Sequence, residues 1–324
     1  MPAKRPDVRE RIELLRRTCE DQGPGAALET VRRALRDRHY LLVARAAELA
    51  AGRLLFGLET DLAAAYRRFL DNPVKRDPNC TAKGAIVRAL VALDWQDADF
   101  YVHGLRYRQL EPVWSGTLDT AVDLRSSCAA GLAATSYPRA PVELVDLLYD
   151  PEPHARSAAV RAIACAERLG AEAVPRAKAL AGDPEPEVTG ECLVALLRLA
   201  PDEALPFVAA FLDAPDPVIR ELAALALGES RLEAALELLR TRWEGQPFKR
   251  DADRALLRAA VLHRSETAFD WLLSVARRGD RASAELVTVE LAAYRTAPGL
   301  RARMRDALTE RGDEGLMAEF ARVW

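Results

Sequence analysis

A recurrence at 33 residues constrains this chain more than any other feature. DPEPHARSAAVRAIACAERLG begins at Asp150, and DPEPEVTGECLVALLRLA begins at Asp183. PDPVIRELAALALGES then sets Pro217 where Pro153 and Pro186 stood. The apolar positions recur with it: Ala155, Ala159, Ala162, Ile163 and Ala166, then Val188, Cys192, Ala195, Leu196 and Leu199, then Ile219, Ala223, Ala226 and Leu227. Upstream, Leu124, Cys128, Gly131 and Leu132 match, as do Ala82, Ile86, Ala89, Leu90 and Leu93. Spacing of i, i+4, i+7, i+8 is one face of an α-helix. Small residues dominate that face, so neighbouring helices can approach closely.

A shorter helical stretch precedes each D-P turn, as in VELVDLLY, AVPRAKALAG and ALPFVAAFL. Each unit therefore reads as helix, D-P turn, helix. The Asp is expected to cap the second helix, and Pro suits its first turn. One hairpin cannot bury both of its apolar stripes, whereas a stack can. Composition agrees: half the chain is hydrophobic and only 6% aromatic, a mix that favours helix over strand. The spacing predicts helical pairs over 24–53, 59–94, 96–134, 140–169, 172–199, 202–228, 231–263 and 266–295. A lone helix at 5–21 precedes them, and helices near 298–311 and 314–323 follow. No Gly/Ser-rich linker interrupts the chain. The expectation is one continuous domain over 1–324: an N-terminal capping helix (1–23), repeats (24–295) and a C-terminal cap (296–324).

The D-P-x-P-x-x-R turn before an alanine-rich helix resembles HEAT repeats, above all the short type known from PBS lyases. The best matches are DPEPHAR at 150–156 and DAPDPVIR at 213–220. The resemblance implies an all-α fold, a right-handed α-α superhelix of about eight hairpins. It also implies a ladder of turn Asp residues and bases six positions later. Asp150 with Arg156 and Asp119 with Arg125 fit it, and Asp77 with Lys83 fits with Lys substituted. Asp183 has Thr189 instead, and Arg220 has its Asp shifted. An ankyrin T-P-L-H turn and the large aromatics of tetratricopeptide repeats are missing.

The formal net charge of -3 gives no global pull toward nucleic acid or an anionic membrane. The acidic middle of the chain predicts a preference for basic partner segments. The basic N-terminal stretch reads as a solvated face. Five Cys with no C-x-x-C suggest neither disulfides nor zinc. Free thiols, no apolar leader and no spanning segment suggest a cytoplasmic protein with no membrane partner. No cofactor is expected. The four His are followed by Tyr40, Gly104, Ala155 and Arg264, so H-E-x-x-H is absent. The His-Glu iron ligands of deoxyhypusine hydroxylase, a HEAT-like enzyme, thus have no counterpart. Cys128 and Cys192 share a repeat position on the apolar face, which is a packing role.

Residues 94–125 break the pattern. Trp95, Phe100, Tyr101, Tyr107 and Trp114 cluster there, with His103, Arg106, Arg108, Gln109 and Glu111 among them, and a polar segment from Gln109 to Thr117 lengthens the unit. Two readings stand. The segment is a binding patch, since Trp, Tyr and Arg anchor interfaces, or its aromatics fill a wider inter-repeat gap while Arg106 pairs with Glu111. Lys83, Arg88, Arg125 and Arg156 fall on successive second helices, which line the concave face in HEAT-like solenoids. They form either a cationic track or rungs of the ladder. The leading expectation is a non-enzymatic scaffold for a protein or peptide. Its candidate contacts are Lys83, Arg88, Tyr101, His103, Arg106, Tyr107, Gln109, Glu111, Trp114, Asp119, Arg125 and Arg156. The alternatives are nucleic-acid binding, as in the HEAT-like alkylpurine glycosylases, whose composition Trp95, Trp114 and Asp119 echo, and tetrapyrrole attachment by resemblance to phycobilin lyases.

Overall fold

The computed structural model describes residues 7–21, 23–114, 116–166, 170–245 and 254–324. The first residues of the helix expected at 5–21, the tail of the pair ending at 169, and 246–253 within the pair 231–263 lie outside the described residues. The chain divides into two compact units, residues 1–171 and 172–324.

The first unit starts with α1 (Val8–Asp21). Four hairpins follow: α2 (Pro24–Leu35) with α3 (Tyr40–Gly52); α4 (Glu59–Arg68), the short α5 (Pro73–Arg76) and α6 (Thr81–Ala92); α7 (Ala98–Leu105) with α8 (Val122–Ala134); and α9 (Ala140–Leu147) with α10 (Pro153–Cys165). The second unit contains α11 (Ala173–Ala181) with α12 (Pro186–Leu199), α13 (Pro201–Ala210) with α14 (Pro217–Ser230), α15 (Glu233–Glu244) with α16 (Ala255–His263), and α17 (Glu266–Arg278) with α18 (Arg281–Leu291). It closes with α19 (Leu300–Arg311) and α20 (Glu314–Val323). All eight expected pairs carry their helices.

Stacking follows the repeated apolar face. Each second helix packs on the next: α3 on α6, α6 on α8 and α8 on α10 in one unit, and α12 on α14, α14 on α16, α16 on α18 and α18 on α20 in the other. Ile86, Ile163, Leu196 and Leu227 are all buried there, each contributing roughly 1.5–3 kcal/mol relative to exposure. Close approach requires glycine at several contacts. A Cβ on Gly131 would lie 2.3 Å from the Tyr101 ring, and one on Gly228 would lie 2.1 Å from the Ala259 carbonyl oxygen.

The turn Asp acts two residues earlier than expected. Pro153 and Pro186 occupy the first helical turn, so the N-cap positions fall on Glu152 and Glu185. Asp150 and Asp183 instead accept the N–H groups of Glu152 and Glu185 at 2.9 Å each. These are Asx turns, which bend the chain into the helix. In the third of these repeats the acid itself is the cap, with Asp216 accepting from Val218 N–H at 2.8 Å.

One connection departs from the helical pattern. Between α7 and α8 the chain forms an antiparallel hairpin, β1 (Leu110–Val113) and β2 (Gly116–Asp119), with Leu110 opposite Asp119 and Val113 opposite Gly116. The polar segment expected from Gln109 to Thr117 thus carries β1 and the start of β2. Gly116 has φ +138, a conformation open to glycine.

Candidate functional site

The hairpin is built on a buried ionic base. Arg125, the fourth residue of α8, is wholly buried. Its guanidinium donates to Asp119 at 2.7 Å and to Asp150 at 2.8 and 3.0 Å, so it bridges two consecutive turns. It also reaches the Tyr107 carbonyl at 3.1 Å. Arg108 adds a second guanidinium on Asp150 at 2.7 Å. Burial would raise the Asp119 carboxyl, but the N–H groups of Ala121 and Gln109 and the Arg125 charge outweigh it and hold it below the usual range.

Two side chains tie the hairpin to the preceding repeat. Gln109 donates to the Asp77 carbonyl at 2.8 Å and to Glu111 at 2.7 Å. One Glu111 oxygen also accepts from Asn79 N–H at 2.6 Å and from Thr120 Oγ1 at 2.8 Å. These contacts cover a turn in which Asn79 and Cys80 both have left-handed φ values. Behind it, Asp77 and Lys83 are fully buried and paired at 2.8 Å. The Lys83 ammonium lies 5.7 Å from the Tyr107 ring, a cation–π distance.

This placement sorts the expected contact residues. Lys83, Tyr101, Gln109, Arg125 and Arg156 are buried, and Glu111 nearly so. Tyr101 packs edge-on against Phe100, which packs against Tyr66, and burial pushes its hydroxyl pKa up. Arg156 donates to the carbonyls of Asp150 and Pro151 at 2.9 and 3.0 Å. Asp119 and Tyr107 are half-buried at the base. Arg88, His103, Arg106 and Trp114 are exposed. Arg106 pairs with Glu143 rather than Glu111, because Glu111 is already engaged by three donors.

The tip is uncovered and apolar. Trp114 is fully exposed, and Leu110, Val113 and Leu118 of the two strands are exposed as well. Leu110, Val113 and Leu118 were not among the residues expected from sequence. The signal was present: Ser-Gly flanked by Leu, Val and Thr in LEPVWSGTLD is a hairpin pattern. Two of the concavities in the same unit are lined by residues of these repeats. One of ≈ 270 Å³ is lined by Arg106, Arg108, Glu143, Tyr149 and Asp150. The other, ≈ 680 Å³, runs over α6, α8 and α10 and is lined by Arg88, Ser126, Ser127, His154, Arg161 and Cys165.

Cys19, Cys80, Cys128 and Cys192 are buried. Burial pushes the thiols of Cys80 and Cys192 up to about 12, far from a nucleophilic thiolate. Among the described residues, no group of three or more His, Cys, Asp or Glu is placed to hold a metal ion, and no helix is long and apolar enough to cross a membrane.

Residues 173–257 match the family model of HEAT repeats. Over those residues the chain carries HEAT-type repeats. The complex of CpcE and CpcF of phycocyanin lyase from Nostoc sp. PCC7120 is 15% identical, with 96% of this chain and 98% of that chain covered and a TM-score of 0.36. A crystal structure of an engineered protein is also 15% identical, covering 98% of this chain and 95% of its own, with a TM-score of 0.34. Likeness at this level carries no functional argument. No curated protein matches the sequence.

Proposed function

We propose that this HEAT-like protein is a non-enzymatic scaffold that docks a protein or peptide partner through the 110–119 hairpin. One observation carries the reading: a fully exposed Trp114, on a hairpin that also exposes Leu110, Val113 and Leu118, stands on a base held by buried ion pairs. Exposed aromatic side chains on rigid supports are what interface hot spots are made of. An uncovered apolar cluster in a folded chain marks an interaction site. Arg106, Arg108 and Tyr149 beside the hairpin supply a polar rim.

The cation placement speaks against nucleic acid. Lys83, Arg125 and Arg156 are engaged inside the protein, which leaves Arg88 alone of the proposed track on the surface. Phosphate binding needs several free cations. Tetrapyrrole attachment rests on the repeat resemblance alone.

The test is affinity capture with the tagged full chain from its native lysate, compared with Trp114→Ala. The docking role predicts that specific partners recovered by the wild type are lost from the variant. Equal recovery by both proteins sinks it.

A further inference from the structure

We infer that β2 is the contact edge for a second copy of this chain, so that two hairpins form one four-stranded antiparallel sheet across a twofold axis. The inference rests on the hairpin being a docking element and names its occupant.

The ladder determines which backbone groups point outward. Thr120 N–H donates to the Gln109 carbonyl at 2.9 Å. Along an antiparallel pair, hydrogen-bonded residue pairs alternate with non-bonded ones. With the observed register, the bonded pairs are 109 with 120, 111 with 118 and 113 with 116. The backbone groups of residues 110, 112, 117 and 119 therefore face away from the partner strand. On β1 this edge is blunted, because Pro112 has no N–H. On β2 it presents Thr117 with both donor and acceptor. β2 also carries none of the Lys or Pro residues that protect exposed edges.

A twofold axis at Thr117 satisfies both groups. Each Thr117 N–H donates to the Thr117 carbonyl of the other copy. Leu118 then lies opposite Gly116 of the second copy, and the space where a Cβ on Gly116 would sit is open. Pro112 ends up on the two outermost edges of the sheet, where proline is tolerated. Such a contact is self-complementary, as a twofold interface must be.

Charge permits the same occupant. Glu111 is covered by its three donors and Asp119 is paired with Arg125. The residues that meet across the axis are Gly116, Thr117 and Leu118 of each copy, while Leu110 and Val113 stay on the outer strands. A contact of that size is smaller than the ~1,000 Å² of a stable interface, so the dimer is weak, with a Kd on the order of tens of micromolar.

Sedimentation velocity of the full chain from about 1 to 100 µM tests this. The expected result is a monomer–dimer equilibrium. Leu118→Lys, which sets like charges across the axis, should raise Kd at least ~10-fold, and so should Thr117→Pro, which removes the outward N–H. Leu180→Lys, at an exposed position of α11, should leave Kd unchanged. Leu118 is half exposed, so its replacement keeps the helical circular dichroism of the wild type. If Thr117→Pro reduces that signal, Leu118→Lys alone decides. A monomer at every concentration overturns the inference, as does a dimer that Leu118→Lys leaves intact. A monomeric wild type whose partner capture still depends on Trp114 removes the twofold contact and keeps the docking role.

Discussion

The connection from α7 to α8 and the one from α13 to α14 solve the same problem differently. Both lead into a second helix whose fourth residue is arginine. At α14 the connection is short, and Arg220 serves its own turn, donating to the carbonyls of Ala214 and Pro215 at 2.8 and 2.9 Å. At α8 the connection runs from Arg106 to Ala121, and Arg125 is buried between carboxylates of two successive turns. The helix packing is alike in the two places. What the base does depends on the carboxylates its connection brings to it. A long connection can project a hairpin only if its root is fastened, and in this chain the fastening is ionic.

The largest expected effect separates these arginines. Arg125→Ala removes the buried cation between Asp119 and Asp150, leaving them only the partly exposed Arg108, and should cost about 3–5 kcal/mol. Arg220→Ala gives up exposed or half-buried hydrogen bonds to carbonyls and should cost about 1 kcal/mol. Urea unfolding of both variants measures the difference. Equal losses would mean that the two connections are anchored alike and that the contrast is one of appearance.

Acid sharpens the comparison. Asp119 at the hairpin and Asp213 at the α13–α14 connection both have carboxyl pKa values below the ordinary range. For Asp213 the cause is the Arg242 side chain; for Asp119 it is backbone N–H groups and Arg125 overcoming burial. A folded pKa below the unfolded value, about 3.9, stabilises fully above that pH. The contribution is lost as pH falls through the folded value. Asp119→Asn should therefore flatten the loss of stability below pH about 4. Asp213 is exposed, so its share should vanish in high salt, whereas that of Asp119 should persist. Urea titrations at low and neutral pH, with and without salt, check both. An Asp119 share that salt also abolishes would place it in the same class as Asp213.

The two connections also differ in how far the sequence exposes them. The α13–α14 turn is legible because its signals are local: Pro217 in the first helical turn, Asp216 before it and Arg220 three residues on. The stacked helices are legible for the same reason, since periodicity at Ile163, Leu196 and Leu227 survives in any context. The hairpin was harder. Its strands are four residues each, and Trp114 and the Arg residues invite a reading as a patch rather than as a strand pair. Its anchors are non-local: Gln109 reaches Asp77 and Glu111 reaches Asn79, both one repeat back, and no spacing rule within 94–125 predicts them. The same cause divided the candidate contacts. Tyr101 and Trp114 look equivalent as letters, but Gly131 makes room for one inside the stack and nothing covers the other.

That pair frames the smallest expected effect on stability. Trp114 is fully exposed among the described residues, so Trp114→Ala should change the unfolding free energy by no more than about 0.5 kcal/mol. Tyr101→Ala empties a buried site and should cost about 3–5 kcal/mol. Thermal unfolding of dilute protein measures both. A large aromatic held in water returns nothing to the fold, so its benefit must come from something that covers it. If Trp114→Ala destabilises the chain only at high protein concentration, the cover is a second copy, because binding to the native state alone raises Tm with concentration. If it destabilises even at high dilution by more than about 1 kcal/mol, the tip packs against its own chain, and the hairpin is part of the repeat's interior rather than its docking edge.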